Sequence, residues 1–430
     1  MRSAPCCSVP AVAHGTPGEF RVTARDVLRA PAPRFLLAGN FLVHTAVAVQ
    51  ATTLVKHVYD TTGREIDIGW IGLAEFLPIV AFVLLAGSAA DRFDRKRVAL
   101  IALAGELASS LLLVAHTMGG SGSVWPFFAV AALFGTSRAF LSPAARAMYP
   151  MVAPEGGLAP LIAMTSAVWT SAMIVGPAAS GLLYSIDPAV SYGTAAVLSL
   201  GGGLLISRVR YQRPAARSER PSLRSAMEGL TFIRRTPILF AAIALDLFAV
   251  LFGGAVALLP VIATERLGVG DIAYGWLRAA IGIGAAIVAV FLAIRPLRRR
   301  IGTALLVSVG VFGVGTIVLG ATANYWIAFA AVAVLSGADM VSVFIRGTLV
   351  PLVTPDDKRG RVSAVENVFI GATNELGAFE SGVVSQVIGA QATVVGGGVA
   401  TLGVVAAWWV WFPSLRRIDR FSDLDAAPQR

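Results

Sequence analysis

The sequence predicts an all-α integral membrane protein whose twelve transmembrane helices form two pseudo-symmetric six-helix bundles. Of its 430 residues, 56% are hydrophobic and only 14% are charged, whereas soluble domains average about 45–50% apolar and about 25% charged. Apolar stretches of about 20 residues, the length that crosses a bilayer, recur along almost the whole chain. The second half also repeats sequence features of the first half, which indicates two related bundles.

The apolar stretches divide the chain into spans and connections. The predicted spans are residues 34–56, 67–88, 98–118, 124–147, 158–184, 189–207, 238–263, 272–293, 303–322, 325–350, 361–387 and 392–412. They predict five regions: a flexible cytoplasmic N-terminal tail (1–33), an N-terminal bundle (34–207), a cytoplasmic linker (208–237), a C-terminal bundle (238–412) and a cytoplasmic C-terminal tail (413–430).

The basic residues fall on one side of these spans. With the N-terminus placed in the cytoplasm, 29 of the 35 Lys and Arg residues lie in cytoplasmic segments, and only Lys56, Arg64 and Arg266 lie outside. Membrane proteins concentrate Lys and Arg on the cytoplasmic side. The net charge of +10 therefore indicates membrane topology, and no nucleic-acid partner is expected.

Two stretches show the internal repeat most clearly. Residues 150–155 (PMVAPE) align with residues 351–356 (PLVTPD) at an offset of 201 positions. Small residues allow membrane helices to approach closely, and the same offset aligns two glycine-containing segments that we interpret as helix-packing motifs. Their key residues are Gly176, Pro177, Gly181, Gly377 and Gly382.

The connection after the second span carries a recognisable motif. It reads Gly87-Ser-Ala-Ala-Asp91-Arg92-Phe-Asp94-Arg95-Lys96-Arg97 and resembles the G-x-x-x-D-R-x-G-R-R/K signature of the major facilitator superfamily. Asp94 stands where that signature has its second glycine. The resemblance implies the major facilitator fold and a cytoplasmic gating motif that latches the two halves. The motif residues are Gly87, Asp91, Arg92, Asp94, Arg95, Lys96 and Arg97.

Three features together resemble one branch of this superfamily. They are the aspartate at position 94, the segment 359–364 (RGRVSA) and the segment 374–382 (NELGAFESG). They are similar to the enterobactin-exporter-like branch, and the resemblance implies a bacterial inner (plasma) membrane protein with both termini in the cytoplasm.

Ionisable and amide side chains within the spans are the candidate transport residues, since a charge at the bilayer centre costs about 2.5–3.5 kcal/mol on insertion scales. The repeat aligns Arg138 in helix 4 with Asp339 in helix 10, and Asn40 in helix 1 with Asp246 in helix 7. Those helices line the central cavity in this superfamily, so the resemblance implies that all four residues face it. The predicted substrate and proton pathway comprises Asn40, Glu75, Glu106, Arg138, Asp246, Asp339 and Glu375.

Opposite charges at equivalent positions suggest a mechanism. We hypothesise that Arg138 attracts an anionic part of the substrate, while Asp246 or Asp339 carries the coupling proton. The alternative is a permanent structural pair between Arg138 and Asp339. For Glu75, Glu106 and Glu375, packing or gating is an equal alternative to substrate contact.

These features favour a secondary active transporter that works by alternating access, with proton-coupled efflux of a small amphipathic or anionic molecule such as a siderophore or drug. An importer or facilitator on the same fold is the alternative, and a non-transporting sensor is a third. The sequence contains no metal-ligand cluster, nucleotide-binding glycine motif or nucleophile-base pairing. We therefore expect no enzyme activity, catalytic residue, metal or cofactor, and a monomer that works in the bilayer on a small-molecule substrate.

Overall fold

A computed structural model describes residues 23–120, 122–211 and 223–425 of the chain. Helices connected by short turns make up this part of the protein. Its longer helices are α1 (Pro31–Thr62), α2 (Glu65–Arg92), α3 (Arg95–Met118), α4 (Trp125–Val152), α5 (Leu158–Tyr184), α6 (Pro188–Ser207), α7 (Pro237–Phe252), α8 (Asp271–Ile294), α9 (Ile301–Ala321), α10 (Tyr325–Val353), α11 (Asp356–Ile388) and α12 (Ala390–Trp411).

Nine helices of the described residues are long and apolar enough to cross a membrane, or ten if one bent pair counts as a single span. The bent pair joins Met227–Arg235 to α7 at an angle of 105°. The helices α2 and α11 are long but carry several carboxyl groups each. The predicted all-α membrane architecture is confirmed, while the exact number of twelve spans stays a prediction.

Short helices lie in the regions that the sequence assigns to tails and linker. One covers Ala24–Arg29, a second, the linker helix, covers Leu223–Arg235, and two single turns cover Pro413–Arg416 and Ser422–Asp425. The predicted region boundaries stay predictions, and residues 1–22, 212–222 and 426–430 lie outside the described part of the chain.

The predicted seventh span is interrupted. α7 ends at Phe252 and is followed by a 3-10 turn at Gly254–Val256, a short α-turn and a π-helical turn at Ile262–Arg266. Gly254 packs directly on α11, since a Cβ there would lie 2.8 Å from the carbonyl carbon of Gly377. The prediction of one continuous helix over 238–263 was wrong, because adjacent glycines at 253 and 254 allow the backbone to break where two helices cross closely.

Successive long helices alternate in direction, so the molecule has two ends. The end that carries the basic connections 93–94 and 295–300 is called the basic side, and the other end the opposite side. Within the N-terminal half, α1 packs on α5 and α6, and α4 packs on α2 and α3. Within the C-terminal half, α10 packs on α8 and α9, and α12 packs on α9. The halves meet along two seams, α2 with α11 and α5 with α8.

Candidate functional site

An ion pair joins α2 and α4 near the middle of the bundle. Arg138, halfway along α4, donates from Nη1 to Oε1 of Glu75. Gly135, one turn before Arg138, allows this approach, since a Cβ there would lie 3.0 Å from the Cα of Glu75. The Arg138 side chain is nevertheless 42% exposed. Because an intramembrane charge normally faces the bundle interior or a cavity, the exposed part of the Arg138 side chain is available to a ligand.

Two further carboxyl groups lie near this pair. Glu106 on α3 is 1% exposed, and both of its carboxyl oxygens lack a hydrogen-bond partner among the described residues. An ionised carboxyl in that position would be strongly destabilising, so the site suits a neutral acid. Glu375 on α11 approaches from the other half and packs against Gly72 of α2. The structure thus places Glu375 beside the pair and Glu106 away from open space.

A second charged group, the C-half cluster, consists of Asp246 on α7, Asp339 and Arg346 on α10, and Glu366 on α11. Nη2 of Arg346 lies 2.8 Å from Oδ1 of Asp246, and Nη1 lies 3.8 Å from Oε1 of Glu366. Only 5% of the Arg346 side chain and 6% of the Asp246 side chain are exposed. Arg346 and Asp246 are therefore buried within their own half, while Glu366 is 15% exposed and Asp339 is half-buried.

Asp339 faces the same small space as Asp246. Both residues and Ser342 line an internal cavity of about 10 Å³, which is close to the minimum for one water molecule. The alternative of a structural pair between Arg138 and Asp339 does not hold in this structure. Arg138 has Glu75 as its partner, and Asp339 lies near Asp246 and Arg346, because each half supplies its own counter-charge.

Asn40 occupies a packed position on α1. It is 4% exposed, and its Nδ2 has no hydrogen-bond partner among the described residues. The neighbouring Gly39 lies against α6, where a Cβ would be 3.2 Å from the carbonyl oxygen of Gly202. The structure therefore packs Asn40 between helices and does not expose it to a central cavity, although the repeat aligns it with Asp246.

The gating motif is held to the N-terminal half by its polar groups. Asp94 caps α3 by accepting from the backbone N–H of Arg97 at 3.1 Å, and it also accepts from the Tyr211 hydroxyl at 3.0 Å. Burial raises the pKa of Asp94, but these hydrogen bonds outweigh it and hold the pKa below its usual value. A carboxylate at this position therefore performs capping that a glycine could not.

The basic residues of the motif contact neighbouring helix ends. Lys96 donates to the carbonyl oxygens of Ser207 and Val209 at 3.2 and 3.1 Å, and Arg95 donates to the Ala147 carbonyl at 3.4 Å. Gly87 and Arg92 lie in the last turns of α2, and Arg97 in the first turn of α3. The side chain of Asp91 lies outside the described part of the structure.

Polar contacts close the opposite side between the halves. The Tyr59 hydroxyl of α1 donates to Oε1 of Glu265 at 2.5 Å. Lys56, also on α1 and only 6% exposed, lies 3.2 Å from Oδ1 of Asp271 at the start of α8. It also binds Asp60 at 2.6 Å. The structure therefore represents a state in which the halves are joined at the opposite side.

The two glycine motifs have matching roles. Gly176 packs on α1 and Gly377 on α7, each against the first long helix of its own half. Gly181 and Gly382 instead cross the seams. A Cβ on Gly181 would lie 2.8 Å from the Cα of Gly275, and one on Gly382 would lie 3.4 Å from the Cα of Gly69. Pro177 lies inside α5 between the two contacts, and its carbonyl oxygen approaches Gly275.

Sequence reasoning had not assigned several of these residues to the site. Arg346 is not among the predicted pathway residues, although it stands two turns from Asp339 on the same helix. Gly69 and Gly275 are equivalent at an offset of 206 positions, and that signal could have revealed the symmetric seams. The partners Tyr59 and Glu265 are distant in sequence and carry no local signal.

Sequence comparison finds efflux proteins. The Multidrug efflux pump Tap of Mycolicibacterium fortuitum is 27% identical over 412 residues, covering 89% of this chain and 97% of that protein. Macrolide efflux protein A of Streptococcus pyogenes is 26% identical over 238 residues, covering 53% of this chain and 58% of that protein. The match therefore spans less than two thirds of the macrolide efflux protein's length.

Structure comparison finds transporters at low identity, which shows the fold alone. The nucleoside transporter NupG, in a mutant form, superimposes with a TM-score of 0.70 at 13% identity, over 89% of this chain and all of that one. The D-xylose-proton symporter gives a TM-score of 0.65 at 14% identity, over 90% and 98%. Since the transmembrane secretion effector family matches residues 28–428, the chain belongs to that family of major facilitator transporters, and its fold is theirs.

Proposed function

We propose that the protein is a secondary active exporter that moves a small amphipathic or anionic molecule out of the cell in exchange for protons. The observation that carries this proposal is the division of charge between the halves. The Arg138 side chain is 42% exposed, whereas the side chains of Arg346 and Asp246 in the C-half cluster are only 5% and 6% exposed. One half thus offers a ligand contact and the other a protected place for a proton.

The orientation of this state supports loading of substrate from the cytoplasm. The basic side carries most of the Lys and Arg residues and is the cytoplasmic side by the positive-inside rule, so the opposite side faces outward. The contacts from Tyr59 to Glu265 and from Lys56 to Asp271 hold the outward side closed. This state accepts substrate from the cytoplasm. Both termini are cytoplasmic in this orientation.

Substrate recognition uses the pair between Arg138 and Glu75. An anionic group that binds the guanidinium competes with Glu75 for it, and a displaced Glu75 is left without its cation. Charge-assisted bonds to Arg contribute about 1.5–3 kcal/mol. That is enough to shift the balance between the inward-open and outward-open states by roughly ten- to a hundredfold.

Proton coupling uses the C-half cluster. Its three carboxyl groups face one guanidinium, so full ionisation would leave a net charge of minus two in a buried site. Such an imbalance is strongly unfavourable, and proton binding at Asp246 or Asp339 relieves it. The proton gradient, rather than a cofactor, then supplies the energy.

The relatives named as macrolide and multidrug efflux proteins support an amphipathic drug as substrate. The enterobactin-exporter-like motifs support a siderophore. Both classes carry apolar surface and polar groups, which suits a cavity with one exposed cation.

The test compares a deletion strain with strains that express the wild-type protein or the Asp339→Asn variant. Small molecules in cells and medium are profiled by mass spectrometry, with and without a protonophore. We expect a compound that the wild-type strain exports, that the deletion and variant strains retain, and whose export collapses with the gradient. A compound that accumulates inside only with the wild-type protein would establish import instead, and no change in any compound would favour a sensor.

A further inference from the structure

We propose that Glu375 controls the α2–α11 seam, which closes as the neutral acid packs against Gly72 and opens outward when the carboxyl ionises. This inference rests on the proposed function, since opening outward matters only to a transporter. It assigns Glu375 a proton-dependent gating role, in addition to the coupling proton proposed for the C-half cluster.

The first argument is the fit of the carboxyl group. A Cβ on Gly72 would lie 2.7 Å from Oε2 of Glu375 and 3.7 Å from the Cβ of Ala378. The absence of a side chain at position 72 therefore makes the space that the carboxyl occupies. Gly72 and the methyl group of Ala378 beside it offer the half-buried carboxyl no charged partner, which suits an uncharged acid better than a carboxylate.

The second argument is the charge around Glu375. The groups that act on it electrostatically are Glu75 on α2, Arg138 on α4 and Arg278 on α8. The hydrogen bonds described for both cations go elsewhere, from Arg138 to Glu75 and from Arg278 to the Val256 carbonyl at 3.4 Å. An ionised Glu375 would thus face the Glu75 carboxylate, and water admitted by an open seam would stabilise it.

The third argument is the position of Glu375 between the halves. Its helix crosses α2 at Gly382 and Gly69, in the same way that Gly181 crosses Gly275 in the other seam. At an offset of 201, the position equivalent to Glu375 is Ile174, which contacts Gly282 of α8. The two seams share their glycine crossings, but among the described residues a titratable side chain packs against a glycine in the α2–α11 seam and not in the α5–α8 seam.

The consequence is a link between proton uptake and closure. When the outward side is open, Glu375 is in contact with outside water and binds a proton at low external pH. The neutral acid then packs against Gly72 and closes the seam. Closure of the empty carrier therefore follows protonation at this residue.

The experiment measures the distance across the outward side directly. Thr61 and Thr264 are exposed, lie at that side and belong to different halves, so spin labels on Thr61→Cys and Thr264→Cys report opening by pulsed electron paramagnetic resonance. Cys6 and Cys7 are replaced by serine, and the full chain is placed in lipid nanodiscs between pH 5 and pH 8. We expect the longer-distance population to grow as pH rises.

The variants isolate Glu375. The Glu375→Gln variant keeps the neutral shape, so we expect short distances at every pH. The Gly72→Ala variant displaces the carboxyl and should show long distances already at low pH. The matched control is Gly371→Ala on the same helix, where a Cβ would meet only a Phe76 ring carbon at 3.9 Å, and it should behave as wild type.

The outcomes separate this inference from the proposed function. An unchanged pH response in Glu375→Gln, or no response in the wild type, would overturn the inference even if gradient-driven export is found. A response that Glu375→Gln abolishes supports the inference, even if no exported compound is found. Because Glu375→Gln is nearly isosteric, the test does not depend on whether Gly72→Ala folds.

Discussion

The two halves use the same repeat to build charged groups with opposite accessibility. In the N-terminal half, the Arg138 side chain is 42% exposed beside Glu75, whereas in the C-terminal half Arg346 is 5% exposed among Asp246, Asp339 and Glu366. A partly exposed cation can bind a ligand, and a largely buried cluster with excess carboxyl groups can store a proton. The internal repeat thus provides one scaffold on which the two halves carry different charged groups.

The largest expected effect comes from replacing Arg346 and Arg138 in turn, which tests the difference in burial between the two charged groups. Loss of Arg346 leaves buried carboxyl groups without their cation, so Arg346→Met should lower stability by about 3–5 kcal/mol. Loss of Arg138 also leaves a carboxyl group, that of Glu75, without its cation, but we expect a smaller loss of stability than for Arg346→Met, because the Arg138 side chain is 42% exposed and solvent screens part of the pair. Thermal unfolding of the purified variants in detergent measures both. Equal losses of stability in the two variants would contradict the difference in burial.

Substrate binding sharpens the same contrast. The Arg138→Met variant should bind an exported compound roughly ten- to a hundredfold more weakly, since it loses a charge-assisted contact of about 1.5–3 kcal/mol. Equilibrium binding to protein in nanodiscs measures this change. The Arg138→Lys variant keeps the charge without the guanidinium geometry and should recover part of the affinity. Wild-type affinity in Arg138→Met would remove this residue from the binding site.

A smaller effect concerns the equivalent connections on the basic side. In the N-terminal half, Asp94 of the connection caps the start of α3. In the C-terminal half, the backbone N–H of Arg300, which precedes α9, donates to Oδ1 of Asp419, a residue beyond α12, at 3.0 Å. Replacing Asp94 with alanine should lower stability by about 0.5–2 kcal/mol. Asp419→Ala should lower stability by less than Asp94→Ala does, because the Asp419 carboxyl is more exposed to solvent.

The cap at Asp94 also has a pH dependence. Its pKa is lowered in the folded protein, so its stabilising effect is present above the ordinary Asp pKa of about 3.9 and is lost as pH falls through the lower folded value. The difference in melting temperature between wild type and Asp94→Ala should therefore be full near neutral pH and shrink in acid. A difference that grows in acid would mean that Asp94 does not act as an ionised cap.

Much of the architecture could be predicted because the bilayer restricts it. Apolar length and the placement of basic residues locate the helices, and the break after α7 was missed because hydropathy does not register two glycines that pack against a neighbour. The residues of the charged groups were largely found, since intramembrane charges stand out in sequence. The partners of these charged residues were not found. The repeat aligns Arg138 with Asp339, but it cannot show that close packing at Gly135 places Glu75 beside Arg138.

The contacts between halves were the hardest to foresee. Tyr59 and Glu265 belong to different bundles, and their pairing depends on how the bundles dock. The sequence predicts Lys56 in an outside connection, but the structure buries it against Asp271. Docking geometry is set by small residues such as Gly181 and Gly275, and close glycine packing leaves only a faint pattern in one sequence.

The measurement that tests the division of labour most directly compares Asp339→Asn with Arg138→Met in proteoliposomes that contain an exported compound. Three quantities are recorded: binding, exchange without a gradient, and accumulation driven by a pH gradient. We expect Asp339→Asn to keep binding and exchange but lose accumulation, and Arg138→Met to lose binding. Gradient-driven accumulation that survives in both Asp339→Asn and Asp246→Asn would contradict the account, because the C-half cluster would then carry no coupling proton.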